Sequence, residues 1–154
     1  MNKFVTLLAL TLAACGIDTS QQLSPAVTDG SDLETWAAEV ESAVAHWQHA
    51  IGTCCAFPLS VGVTGSPITL VVVSALPDAR ARTTTGNDQR DVQKIDVRDD
   101  MSPFERHGVI MHELGHAIGL GHVAEPESIM CAPSTVSAPS ASDVMRARKV
   151  LSCT

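Results

Sequence analysis

Residues 112–122, HELGHAIGLGH, constrain this chain more than any other stretch, because they place histidines at intervals that only a helix ended by a turn can bring together. His112 and His116 are four residues apart, so on a helix they leave one face about one turn above each other. Glu113 stands beside the pair, where a carboxylate can hold a water and take its proton. His122 lies six residues beyond His116, too far along the same helix to meet the same point. Gly119 resolves this, since glycine tolerates the left-handed conformation that ends a helix and lets the chain swing His122 back. The spacing predicts His112, His116 and His122 as ligands of one Zn2+ with a fourth position open. That is a catalytic pattern, because a structural zinc site is normally closed by a fourth protein ligand.

At these residues the chain resembles the metzincin superfamily of zinc endopeptidases, and within it HELGHAIGLGH is most similar to the matrixins. Further along, residues 128–133, SIMCAP, resemble the Met-turn of that family, with Met130 as the methionine that floors the metal. The resemblance implies an α+β fold: a metzincin-like catalytic domain with a twisted mixed β-sheet, an active-site helix, the Met-turn and a C-terminal helix. It also implies Glu113 as the catalytic base, protein or peptide substrates, and, as in many matrixins, structural Ca2+. For calcium, Asp88, Asp91, Asp96, Asp99 and Asp100 are the candidates, but their spacing matches no calcium loop and reads as a solvated face. Asp143 falls near a matrixin aspartate that receives the mature N-terminal amine in some members, a role that an acylated, distant amine cannot fill here. Tyrosine is absent, which excludes the tyrosine ligand of the astacin and serralysin branches. The residue after the third histidine is usually polar among metzincins and here is Val123, which assigns no branch.

The N-terminus reads as an export signal. Lys3 supplies positive charge and Phe4 to Ala14 an apolar run too short for a stable span, giving a signal peptide over 1–14. Leu12-Ala13-Ala14-Cys15 resembles the bacterial lipobox, which implies cleavage before Cys15 and lipidation of its sulfur. Several acyl chains anchor far more firmly than one. Gly16 after that cysteine favours the outer membrane or cell surface of a bacterium. Residues 15–30 are then a lipidated N-terminus and polar tether, too short for an inhibitory prodomain, and the matrixin cysteine-switch sequence is missing. The peptidase domain is expected over 31–154.

An exported chain holds its cysteines in an oxidising compartment. Besides Cys15 there are Cys54, Cys55, Cys131 and Cys153. Adjacent cysteines bridge each other only with strain, so Cys54 and Cys55 are expected to pair with Cys131 and Cys153 in an order left open, with free buried thiols as the alternative. The formal charge of −7 makes nucleic acid an unfit partner. Oligomeric state is not readable.

The scaffold follows from periodicity. Ser31 and Glu34 form a capping-box pattern, and Leu33, Trp36, Val40, Val44, Trp47 and Ile51 recur at helical spacing, predicting a helix over 32–51. Residues 56–63, 68–75 and 92–97 read as strands, the second buried and the third half-exposed, with a polar loop over 77–90. Pro103 opens the metal-bearing helix, predicted to about 119, and Ser140 or Ser142 caps a last helix through Leu151. An extended substrate is expected along the sheet edge near Val92 to Val97, with a neutral pocket walled by residues 131–140. His46 and His49 lie on the polar flank of the first helix with no carboxylate to complete a metal site, and His107 points away from His112. Two other classes fit the same residues: a non-catalytic, zinc-stabilised surface lipoprotein, which would unfold on chelation, and a binding or adhesion module, which would survive loss of His116.

Overall fold

The structure is a computed structural model. It describes residues 21–27, 33–53, 59–61, 68–73, 76–77, 79–85, 92–133 and 135–153. In chain order the elements are β1 (Gln21–Val27), α1 (Leu33–Ile51), β2 (Leu59–Val61), β3 (Ile68–Val73), β4 (Ala81–Thr85), β5 (Val92–Arg98), α2 (Pro103–Ala117) and α3 (Ala141–Val150). This is the α+β arrangement that the resemblance implied.

The strands form one mixed sheet in the order β2-β1-β3-β5-β4. β1 runs parallel to both β2 and β3, and β3 runs parallel to β5. β4 closes the far edge antiparallel to β5, with Thr83 opposite Ile95 and an irregularity between Thr84 and Thr85. The apolar run ITLVVV therefore lies between two strands, β1 and β5. In β5 the alternation is kept, with Ile95 and Val97 buried and Lys94 paired with Asp96 on the other face at 2.6 Å.

Two sequence readings are corrected here. Gln21–Val27, taken as part of a tether, is an inner strand; its polar, proline-bearing composition gave no alternation, and Pro25 cannot donate to either neighbour. Ala81–Thr85, taken as loop, is the edge strand; its threonines suit a strand, but Arg82, the preceding Arg80 and a following Gly-Asn-Asp mask the pattern.

The core lies between sheet and helices. Trp36, Val40, Ala43, Trp47 and Ile51 make one stripe of α1, and all are at most 2% exposed. They cluster with Ile110, Met111, Leu114 and Ala117 of α2, with Ile118 that caps it, and with Ala147 of α3 and Leu151. Each large side chain so buried contributes about 1.5–3 kcal/mol. Trp47 also donates from Nε1 to the Met111 carbonyl at 2.9 Å, which satisfies its indole inside the core. The start of α2 is set by its cap: Ser102 accepts from Glu105 N, the Glu105 carboxylate returns to Ser102 N, and Pro103 occupies the first turn.

Candidate metal centre and active-site cleft

α2 carries His112, Glu113 and His116 into the molecule and then stops. Its end is a Schellman turn, with Gly119 N donating to His116 O at 2.8 Å and Leu120 N to Gly115 O at 2.9 Å. Gly119 sits at φ 94°, a conformation that a side chain would strain. The chain reverses there, and Val123 N reaches Met130 O at 3.1 Å, so His122 is held over the end of the helix.

The three rings meet at their Nε2 atoms, 3.0 Å apart for His112 and His122 and 3.1 Å for each pair that includes His116. Among the described residues they are the one group of three ligating side chains whose donor atoms lie close enough together to hold a metal ion. Their outer nitrogens decide the chemistry. His112 Nδ1 lies 2.6 Å from Ile129 O and His116 Nδ1 lies 2.8 Å from Leu120 O. A carbonyl only accepts, so both Nδ1 atoms carry the proton and both Nε2 atoms present lone pairs. Lone pairs facing one another repel unless a cation sits among them. A tetrahedral zinc with bonds of about 2.0–2.1 Å needs nitrogens about 3.3–3.4 Å apart, so the triangle fits zinc with a small outward movement. The carbonyls behind the rings are the partners that metal-bound histidines ordinarily use.

Electrostatics keeps His112 and His122 neutral. Burial pushes His112 down to about 4, against the Ile129 carbonyl, which alone would raise it. Burial and the neighbouring His116 also lower His122. Glu113, 6% exposed, is pushed up by burial, while a hydrogen bond from Thr83 and the nearby His116 oppose the rise. Thr83 Oγ1 donates to Glu113 Oε2 across the cleft. Sequence reasoning missed Thr83, because the strand that aims it was read as loop.

Met130 is fully buried against α2, and its position depends on Gly115. A Cβ at Gly115 would stand 2.3 Å from the Met130 sulfur, so only glycine lets the turn press against α2. The turn is tied to α3 by Asp143, which is fully buried at the third position of that helix. Ser128 Oγ donates to Oδ1 at 2.5 Å, Ile129 N to Oδ2 at 2.9 Å and Ser140 N to Oδ2 at 2.8 Å, and Arg146 pairs with Oδ1 at 2.6 Å. Burial alone would raise this carboxyl, but these hydrogen bonds outweigh it and hold it below its ordinary value. Asp143 is thus committed to the Met-turn rather than to a chain terminus. Ile129 both donates its N–H to Asp143 and accepts from His112, so two bonds join α3 to a ligand.

Cys131 carries a free thiol, which corrects its expected pairing. The Met-turn is closed by Val123, Ser128 and Asp143 instead. Cys15, Cys54 and Cys55 lie outside the described residues. Of the calcium candidates, Asp96 pairs with Lys94 and Asp100 with Arg98, while Asp88 and Asp91 lie outside the described residues.

A cleft of about 1040 Å³ runs over the triad, between β4 and the segment after α2. β5 is covered by β4, so the edge facing this cleft is Ala81–Thr85, not Val92 to Val97. Ala132 and Pro133 give a neutral wall as expected, but Arg80, Arg82 and Arg98 line the opposite side. The neutral-pocket reading holds for one wall only.

Comparison with known proteins follows the same lines. No curated protein matches the chain. In fold it is similar to the crystal structure of archaemetzincin from Methanopyrus kandleri, with a TM-score of 0.57 and 15% identity over 87% of this chain and 97% of that one. It is similar also to the crystal structure of myroilysin, with a TM-score of 0.59 and 14% identity over 88% of this chain and 84% of that one. The matrixin family model, peptidase family M10, matches residues 31–145, which take in α1, the sheet from β2 onward, the triad, the Met-turn and the start of α3. A match over that much of the chain, on a metzincin-like fold with the histidines converged, makes this protein a member of the matrixin family and a zinc metallopeptidase.

Proposed function

We propose that the protein is a zinc endopeptidase that hydrolyses extended protein substrates. The observation that carries this is the convergence of three histidine Nε2 atoms beside a buried carboxylate, at the floor of a cleft walled by the edge strand β4. His112, His116 and His122 would hold the ion. Zinc held there would supply Lewis acidity, lowering the pKa of a water towards about 7 and polarising a carbonyl. Glu113 takes the proton of the attacking water on its carboxylate and hands it to the nitrogen of the leaving amine. Burial raises its affinity for that proton, which suits a group that must both accept and release it. Thr83 fixes the carboxylate from the opposite wall. An extended peptide adds to the free edge of β4, with a side chain reaching past Val109 towards Ala132 and Pro133.

Glu113→Ala is the test. It should retain one zinc per chain and lose cleavage of an unstructured protein such as casein by several orders of magnitude. Wild-type activity in that variant would remove glutamate from the mechanism.

The same proposal places the enzyme outside the cell membrane on a lipid anchor at Cys15, at the outer membrane or cell surface of a bacterium. No helix among the described residues is long and apolar enough to cross a membrane. Labelled palmitate should enter the wild-type chain and not Cys15→Ser. A bridge from Cys153 to Cys54 or Cys55 suits that compartment.

A further inference from the structure

A second group of histidines lies away from the cleft, between α1 and α2. His46 of α1 and His107 of α2 face each other with Nδ1 and Nε2 3.4 Å apart and rings roughly stacked. That separation is long for an N–H···N hydrogen bond, which prefers about 2.7–3.2 Å. It matches the edge of about 3.3–3.4 Å between two nitrogens on a tetrahedral ion. Behind His107, Glu39 Oε2 lies 3.5 Å from Nδ1, and both side chains are three-quarters buried or more. A carboxylate on that side favours the tautomer with the proton on Nδ1 and the Nε2 lone pair towards His46, the arrangement that orients metal-binding imidazoles. The sequence reading found no carboxylate for His46; Glu39 stands seven residues before it on α1, and α2 docking against α1 brings His107 between the two.

We infer that His46 and His107 form a second site for a transition-metal dication such as zinc, oriented by Glu39, which fastens α1 to α2. Imidazole donors favour zinc, copper and nickel over calcium or magnesium. Two imidazoles are the protein's share of this site, and solvent completes the shell. Binding needs neutral rings, and burial together with the neighbouring His107 and His49 keeps His46 below its ordinary value. With two fixed ligands against three in the cleft, this site binds more weakly than the first. It stands whether or not the chain cleaves peptides.

The test is a zinc titration of the chelator-stripped full chain by calorimetry at neutral pH. Two classes of site are expected, at two equivalents per chain. His46→Gln and His107→Gln should each remove the weaker equivalent and keep the tighter one, with unchanged far-UV circular dichroism as the folding control. Glu39→Gln should weaken it by about 10–100-fold. Anomalous diffraction at the zinc edge from zinc-soaked wild-type crystals should show a peak between the two rings, a readout free of any variant's folding. Saturation at one equivalent in the wild type, or a second equivalent that survives both histidine substitutions, would overturn the inference.

Discussion

At Glu113, burial and hydrogen bonding pull in opposite directions. Burial favours the protonated acid, while the Thr83 hydroxyl, by donating to Oε2, favours the anion that a general base requires. Removing the hydroxyl leaves burial unopposed, so the carboxyl rises and the acid limb of the pH–rate profile moves upward with it. Hydrogen bonds to charged groups contribute about 1.5–3 kcal/mol, or roughly ten- to a hundredfold in an equilibrium. Thr83→Val should therefore lower kcat by about that factor with little change in KM, and shift the acid limb to higher pH. Thr83→Ser, which keeps the donor, should restore most of both. A uniform loss with an unmoved profile would reduce Thr83 to a wall of the cleft.

At the scale of elements, the site is the meeting of α2, the Met-turn and α3. Gly115 sets the first contact: Gly115→Ala puts a Cβ where the Met130 sulfur lies, and such overpacking costs about 1–3 kcal/mol. Urea unfolding should show that loss, and zinc affinity should fall with it, because the displaced turn carries the Ile129 carbonyl behind His112. Asp143 sets the second. Its folded pKa is depressed, so its contribution is present above its ordinary 3.8 and lost as pH falls through the lower folded value. His112 in the metal-free chain is also depressed, from 6.5 to about 4, and its contribution is lost across that higher window. Metal-free protein should thus lose stability in two acid steps. Asp143→Asn should start less stable and lack the lower step alone; disappearance of the upper step as well would mean that the two groups titrate as one unit.

Over the whole molecule, what could be read from the chain was what its own periodicity decides. Trp36, Val40, Trp47 and Ile51 announce α1, the alternation of Val92 to Val97 announces β5, and the histidine spacing with Gly119 announces both the triad and the turn that completes it. β1 stayed hidden because its place in the sheet is fixed by neighbours distant in sequence, and β4 because its arginine and the Gly-Asn-Asp after it read as loop; with β4 went Thr83 and the true edge of the cleft. Gly115 and the link from Ser128 to Asp143 depend on how close two elements approach, which local pattern does not encode. The same separation between local core and assembled site governs the response to metal removal. The buried cluster from Trp36 to Leu151 draws on α1, β5, α2 and α3, and none of its members is a ligand. Chelation should therefore leave helix content intact at room temperature. Zinc at a thousandfold excess over its Kd contributes about 4 kcal/mol, which for a domain of this size is roughly 8–16 °C in Tm. Differential scanning calorimetry with and without chelator measures that interval, and circular dichroism of the chelated chain checks the helices. Loss of the helices on chelation would show that the ion is part of the fold, and would favour a zinc-stabilised surface protein over an enzyme.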